Sequence, residues 1–367
     1  MTVSARGRLP LIDAFKAVAS QLIVLHHLAF YGPMTDWTHR LWPKLVTWLS
    51  QDARMAVQVF LVISGFLAVG SLAPQGVLKL RNPLAALGKR YVGVALPYVV
   101  ALGVAMACSA VARQWMVHDS IPESATFTQW LAHALLLHSV LDIDSLSAGV
   151  WYVAIDFQLF ALLVAVLWLG RWLGRDHAAW LSVAMVIALG VASMLYFNLS
   201  ADWDMWGVYF FGSFAAGCVA YWAAERKAPV WTGVYALVWL ALAIVALELQ
   251  YRDRLALALL VAATLWLARR QGWLSTWPRS AVLGYLGRIS YGVFLMNFPI
   301  SLLVNAAFTR WAWGVPWVQT VGVVLAWVAC VAAGALFHHA VETPIRRWQG
   351  QAGSLWLRLA TVFTRKA

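Results

Sequence analysis

Lys16 and His27 stand eleven positions apart in an apolar run near the start of this 367-residue chain. At about 100° per residue, a helix brings positions eleven apart to within about 20° of one face, and at about 1.5 Å per residue it sets them roughly 16 Å apart. The pair therefore offers a cation near one end of a helix and an imidazole near the other. An imidazole, with an unperturbed pKa of about 6.5, can take a proton from a hydroxyl near neutral pH or carry a transferred group covalently. Lys16 has two readings: a lysine that snorkels to lipid headgroups, or a point charge that holds an anionic donor. His26 points about 100° away from His27, so only His27 shares the Lys16 face. A lone helical histidine is more often a structural group, and the shared face is what argues for catalysis.

The elements that must position this pair are membrane spans. The chain is 62% hydrophobic and 11% charged, with a mean hydropathy of +0.73, whereas soluble domains carry about 25% charged residues. No long polar block interrupts it, which excludes a soluble enzyme on a single anchor. Apolar runs cover Phe15–Tyr31, Met55–Leu72, Tyr91–Val111, Val150–Leu169, Ala178–Phe197, Met205–Trp222, Val230–Leu247, Leu255–Leu267, Ala281–Phe308 and Trp317–Phe337. A span needs about 20 residues, so these predict about ten transmembrane helices, Leu255–Leu267 being the shortest. The run Phe127–Val140, about fourteen residues, suits a short outer-face helix better than a span. The expected fold is an all-α polytopic membrane protein of about ten transmembrane helices with one extra short outer-face helix. No repeat or low-complexity tract divides it, so residues 1–367 read as a single domain.

Basic residues, 27 against 15 acids, set the expected orientation. One side holds Arg6, Arg8, Lys79, Arg81, Lys89, Arg90, Arg171, Arg175, Arg226, Lys227, Arg269, Arg270, Arg279, Arg346, Arg347, Arg358, Arg365 and Lys366; the other holds Arg40, Lys44, Arg54, Arg113, Arg252, Arg254 and Arg310. The richer side is expected to be cytoplasmic, with both termini there, in the cell inner membrane. The positive charge is thus assigned to topology and membrane lipids, not to nucleic acid. No cleavable leader is expected at the N-terminus. Cys108, Cys218 and Cys330 lie in apolar runs, and the nine His lack H-x-x-x-H spacing, so neither a disulfide framework nor a metal site is expected. The 23 Trp cluster near run ends, which fits an interfacial aromatic belt; a few on the outer side stacking on sugar rings is the alternative.

Five strings carry a resemblance. Asp13 is followed three residues on by Lys16 and, after ten more, by His27. Val59-Phe-Leu-Val-Ile-Ser-Gly-Phe-Leu67 is similar to "FFVLSGFL", and Trp151-Tyr-Val-Ala-Ile-Asp-Phe-Gln158 to "WSLSVEEQ". Leu286-Gly-Arg-Ile-Ser-Tyr-Gly-Val-Phe-Leu295 is similar to "LGRISYSLYL", and Val341-Glu-Thr-Pro-Ile-Arg346 to "VExPxR". In order, over nearly the whole chain, they resemble the acyltransferase-3 family of integral membrane acyltransferases, which includes polysaccharide and lipopolysaccharide O-acetyltransferases.

That resemblance implies an O-acyltransferase. It would move an acyl group, acetyl in the expected case, from cytoplasmic acyl-CoA to a hydroxyl of an extracytoplasmic glycan or glycolipid. Acyl-CoA is the implied donor substrate, with no metal. His27 is expected to act as base or covalent relay. Asp156 either orients the imidazole or forms a structural pair with an arginine or Gln158. Lys16, Arg90 and Arg288 are the expected donor-binding cations, Arg90 closing a basic inner loop and Arg288 at the inner entry of its span. Asp13 can pair with Lys16, Ser64 can donate a hydrogen bond beside a close-packing Gly65, and Glu342 is expected to pair with Arg346. Two positions depart from the pattern. Val94 replaces a second Arg four residues beyond Arg90, and Asn297 replaces the His of "LWHWP", where Asn can hydrogen-bond a substrate and Pro299 is expected to break the helix. The rival readings are a transporter or flippase for a lipid-linked saccharide, and an acyltransferase-like protein without activity.

Overall fold

The computed structural model describes residues 8–80, 82–225 and 229–351. Arg6, Arg81, Arg226, Lys227, Arg358, Arg365 and Lys366 of the charge argument lie outside them. The described chain folds as α1 Pro10–Phe30, α2 Pro33–His39, α3 Pro43–Gln51, α4 Val57–Leu72, α5 Pro83–Trp115, α6 Phe127–Ala134, α7 Trp151–Gly174, α8 Ala178–Leu195, α9 Gly207–Ala223, α10 Val230–Leu249, α11 Asp253–Gln271, α12 Trp273–Thr276, α13 Ala281–Trp311 and α14 Pro316–Phe337. A π-turn over His338–Glu342 follows α14. No strand occurs among the described residues. This is an all-α polytopic membrane protein.

Each of the ten apolar runs falls on one helix. Among the described residues, seven segments are long and apolar enough to cross a bilayer, one of which, Trp151–Leu199, turns at Arg175–His177 and so contains both α7 and α8. Helix α9 has 17 residues, slightly under the length of a full span. Helix α11 carries Asp253, Arg254, Arg269 and Arg270 in its end turns. Three local expectations change. Helix α5 starts at Pro83, with the Asn82 side chain accepting from the Ala85 N–H at 3.1 Å, so Arg90 lies two turns inside a helix and not in a loop. The apolar stretch from Phe127 stays helical only to Ala134, because Leu136 adopts φ +60°, which ends the helix. Pro299 sits inside α13 without breaking it.

Small residues draw these helices together. A methyl group at Gly65 would overlap the Phe214 carbonyl on α9, and one at Gly217 would overlap that of Val62 on α4. The same holds for Gly287 of α13 against the Asp13 backbone of α1, and for Gly334 of α14 against Val293. In lipid, where apolar side chains gain little by leaving the solvent, such close backbone contact is a main source of helix association. It also sets register. Helices α1 and α13 run parallel, with Gly287 at Asp13, Asn297 at His27 and Asn305 Oδ1 on the Met34 N–H at 3.2 Å. Helix α5 joins them in the same direction through Tyr291 Oη on the Val94 carbonyl at 2.9 Å. Helix α7 runs the opposite way, from Gly149 beside His27 to Asp156 beside Arg90.

Helices α4 and α9 end on one face, where Trp222 Nε1 donates to the Ala73 carbonyl at 2.8 Å. Cysteines at the exposed positions Gln75 and Glu225 are therefore expected to react with an impermeant maleimide from the same side of sealed vesicles. Opposite-sided labelling would contradict this topology.

Candidate active site

His27 is 6% exposed and held from three sides. Its Nδ1 meets Asn297 Oδ1, Tyr31 packs edge-on at a ring separation of 5.6 Å, and Gly149 lies against the other edge of the ring. The Asn297 amide fixes the proton. Its Nδ2 donates to the Phe294 carbonyl, which can only accept, so Oδ1 must face His27. A carbonyl oxygen also only accepts. His27 Nδ1 therefore carries the hydrogen, and in the neutral ring it is Nε2 that holds the lone pair. That edge faces Gly149, whose φ of +78° and missing side chain leave room: a methyl there would lie 2.9 Å from Cε1 and 3.4 Å from Nε2. His26 is turned away and meets the Leu49 carbonyl of α3 at 3.1 Å.

A layer of charge occupies the other end of α1. Arg90 Nη2 donates to Asp156 Oδ2, and Ser64 Oγ donates to Asp156 Oδ1 at 2.7 Å. The side chains keep 35% and 11% exposure. Of the two roles left open for Asp156, the structure displays the ion pair: Asp156 bonds to Arg90 and Ser64, while the imidazole is oriented by Asn297. Lys16 lies within electrostatic range of Asp13, Arg90, Asp156 and Arg346, and none of the salt bridges among the described residues involves it. Asp13 pairs with Arg8 at 3.7 Å, with Lys16 and Arg288 also nearby. Arg288 lies over the Tyr285 ring at 5.6 Å and takes no part in the Arg90 group. Glu342, 0% exposed, accepts from Arg346 as expected and also meets His338 Nδ1, both at 3.2 Å, the π-turn bringing these groups together. Gln158 stands apart from Asp156: it accepts from the Gly207 N–H at 2.7 Å and donates to the Met205 carbonyl at 3.3 Å, anchoring the start of α9.

Between the charged layer and His27 stand half-buried aromatic rings. Tyr152 meets Phe294 at 5.6 Å and Phe60 at 6.3 Å, and Tyr291 stacks on Phe294 at 6.4 Å. The Phe294 ring adjoins Gly149, and its carbonyl holds Asn297. None of Gly149, Tyr152, Tyr291 and Phe294 was singled out as a site residue. The only sequence signal was their place inside or beside two of the strings that carry the resemblance.

Gly149 is delivered by the segment after α6, and two histidines tie that segment down. His133 Nδ1 donates to the Gln129 carbonyl at 2.7 Å, and its Nε2 accepts from the Leu146 N–H at 3.2 Å. His138 stacks on it at 4.1 Å and 8°, with neither ring nitrogen partnered. Burial first, and His133 second, push His138 down from 6.5 to about 3.

The fold and site together define a polytopic helical membrane protein with an oriented, buried imidazole at one level and a cationic layer at another. The family model described as an acyltransferase domain, Acyl_transf_3, matches residues 9–335, and the chain belongs to this acyltransferase-3 family: it is a membrane acyltransferase. No curated protein and no solved structure matches it. Among the described residues no group of His, Cys, Asp and Glu is arranged to hold a metal ion.

Two outcomes follow. Asn297→Leu leaves Nδ1–H without its acceptor and frees the ring to turn, so turnover is expected to fall about 10²-fold or more with donor affinity retained; wild-type turnover would deny Asn297 this role. The closed segment binds its His138 proton at about 3, the open one at 6.5. The open form therefore takes up more protons in that window, and closure is weakened as pH falls through it. Amide exchange across Leu136–Ala148, corrected for intrinsic rate, should speed up between about pH 7 and about pH 5, and His138→Phe should remove most of that dependence. Protection independent of pH would contradict it.

Proposed function

We propose that this acyltransferase takes an acyl group, acetyl in the simplest case, from acyl-CoA on the Lys16 face and passes it to a hydroxyl of a glycan or glycolipid reaching His27 from the other face. The observation that carries the reading is the imidazole itself: buried, held at Nδ1 by Asn297, and without a partner at Nε2. Lys16, with Arg90 nearby and Arg288 close to Asp13 at the start of α1, supplies positive charge for the donor phosphates. The roughly 16 Å from Lys16 to His27 along α1 suits an extended pantetheine arm, with the aromatic rings of Phe60, Tyr152, Tyr291 and Phe294 beside its path. The cationic face is then cytoplasmic, with the termini there, in the inner membrane.

In the step itself, Nε2 takes the hydroxyl proton as the acceptor oxygen bonds to the thioester carbonyl. The C–S bond breaks, and the imidazolium returns the proton to the departing thiolate, releasing CoA-SH and the ester. In the relay variant, Nε2 attacks the thioester carbonyl and the C–S bond breaks to release the thiolate; the hydroxyl then takes the acyl group from Nε2, freeing the imidazole, and its proton goes to the thiolate to give CoA-SH. Asn297 holds Nδ1 in both. Asp156 acts here as the counter-charge that keeps Arg90 in place, Ser64 as its second anchor, Asp13 as the partner that steadies the start of α1, and Glu342 and Gln158 as supports of the surrounding helices.

Purified protein in nanodiscs should release CoA and form ester in a donor-dependent assay. His27→Ala should lower turnover by about 10²–10⁴-fold or abolish it, while His26→Ala keeps a substantial part. Lys16→Ala should weaken CoA binding with folding intact. Interchanged effects of the two histidines would refute the register, and absence of any acyl transfer by the wild type would favour a transporter or an inactive relative.

A further inference from the structure

Arg8 stands just before α1 and Arg279 just before α13, and a cavity of about 210 Å³ lies between them, lined in part by Arg8, Asp13, Arg279, Ser280 and Gly284. Arg288 reaches the same place. Gly284 has no side chain, and a methyl there would lie 2.6 Å from Arg8 Nη2 and 3.9 Å from Arg288 Nη1. Three guanidinium groups thus gather against a single carboxylate, Asp13, which stands 3.7 Å from Arg8 Nε. Arg279 donates its Nε to the Thr276 carbonyl at 3.4 Å, and Arg288 lies over the Tyr285 ring. Neither forms a salt bridge among the described residues. Topology asks only that such charges lie on one side of the membrane; it does not ask that they share a pocket, where they repel one another. A bound anion removes that repulsion.

The charge selects among anions. Guanidinium forks match the oxygens of a phosphate. A phosphomonoester carries about −1.5 to −2 at pH 7, which balances three guanidinium groups less one carboxylate. The phosphodiester of a phospholipid carries a single charge and leaves part of the excess in place. The positive end of the α13 dipole adds to the field, since Ser280 and Ala281 form part of the wall. The volume lies below the roughly 300–1,000 Å³ of sites that enclose a drug-sized ligand. It therefore suits a phosphate and the sugar that bears it, with any attached base outside.

The pocket adjoins the layer that holds Lys16. Asp13 lines it, stands one turn before Lys16 on the same helix face, and lies within electrostatic range of Lys16, Arg8 and Arg288. Pro10, also in the wall, is about 9 Å from Lys16 along α1, within the span of one nucleotide. Positive charge thus continues from Arg90 and Lys16 past Arg288 to Arg8 and Arg279. CoA bears its negative charge in two places: a diphosphate at the end of the pantetheine arm, and a phosphomonoester on the 3′ carbon of its ribose. Pantetheine attached to a carrier protein lacks that second group. We propose that the pocket binds the ribose 3′-phosphate and makes the enzyme select CoA thioesters over acyl groups on carrier-bound pantetheine, an assignment that rests on the acyl-CoA reading above.

Equilibrium binding of CoA and of 3′-dephospho-CoA to the full chain, in nanodiscs of uncharged lipid, tests this. The wild type should bind CoA about tenfold tighter or more, the worth of a charge-assisted hydrogen bond. Arg8→Gln and Arg279→Gln, both at exposed positions, should each lower that preference. The double substitution should bring the ratio to about one while the affinity for dephospho-CoA stays at its wild-type value. Equal wild-type affinities for the two ligands would overturn the proposal and leave the acyl-CoA reading standing. So would a wild-type ratio in the doubly substituted protein, or a loss of affinity for both ligands alike, which marks general attraction. Equal affinities together with phosphatidylglycerol that the wild type retains through purification and the double variant loses would give the pocket to lipid headgroups instead. If neither ligand binds, the donor reading falls and this assignment with it.

Discussion

The Asn297 amide can face only one way. Its nitrogen is committed to the Phe294 carbonyl, so its oxygen is committed to His27, and the imidazole has no choice of tautomer. Every functional feature of the site hangs on that bond. It decides which nitrogen of the neutral ring is left to react and that this nitrogen looks toward Gly149. It requires α1 and α13 to lie in one register, and the backbone contact of Gly287 with Asp13 provides that register about three turns away. A side chain at Gly287 would push the two helices apart and separate Asn297 from His27.

The second constraint is charge in hydrocarbon. An ionised group there persists when it is paired or faces a lined cavity. Arg90 meets the condition through Asp156, and Asp156 through Arg90 and Ser64. This leaves the guanidinium partly accessible, so Arg90 can serve a ligand without standing alone in its absence. Val94, where the family pattern has a second Arg, instead gives its carbonyl to Tyr291. The cationic layer is therefore lighter here than the pattern implies.

Much of the frame was legible because helices obey simple periods. The spacing of Lys16 and His27 placed a cation and an imidazole on one face, and His26 does point elsewhere, onto α3. The apolar runs located the long helices, and Gly65 packs as its neighbours implied. What was hidden depended on contacts between distant segments. Nothing in Leu295-Met-Asn-Phe-Pro299 tells that Asn297 would reach α1 and not a substrate, nor that Asp156 would take Arg90 as its partner. Gly149 carries no pattern of its own; its role exists only because His133 and Leu136 turn the preceding segment back over α1. The start of α5 was misplaced for a local reason, since an apolar window does not register the polar turns that Asn82 and Pro83 initiate.

The central claim is that His27 is held as a neutral imidazole with the hydrogen on Nδ1 and the lone pair on Nε2. Nitrogen-15 NMR of ring-labelled histidine in the full chain, with the His27 signals assigned by comparison with His27→Gln, reads this directly. The structure requires a protonated Nδ1, and the expected state of Nε2 near neutral pH is unprotonated. A protonated Nε2, or an imidazolium at that pH, would contradict it.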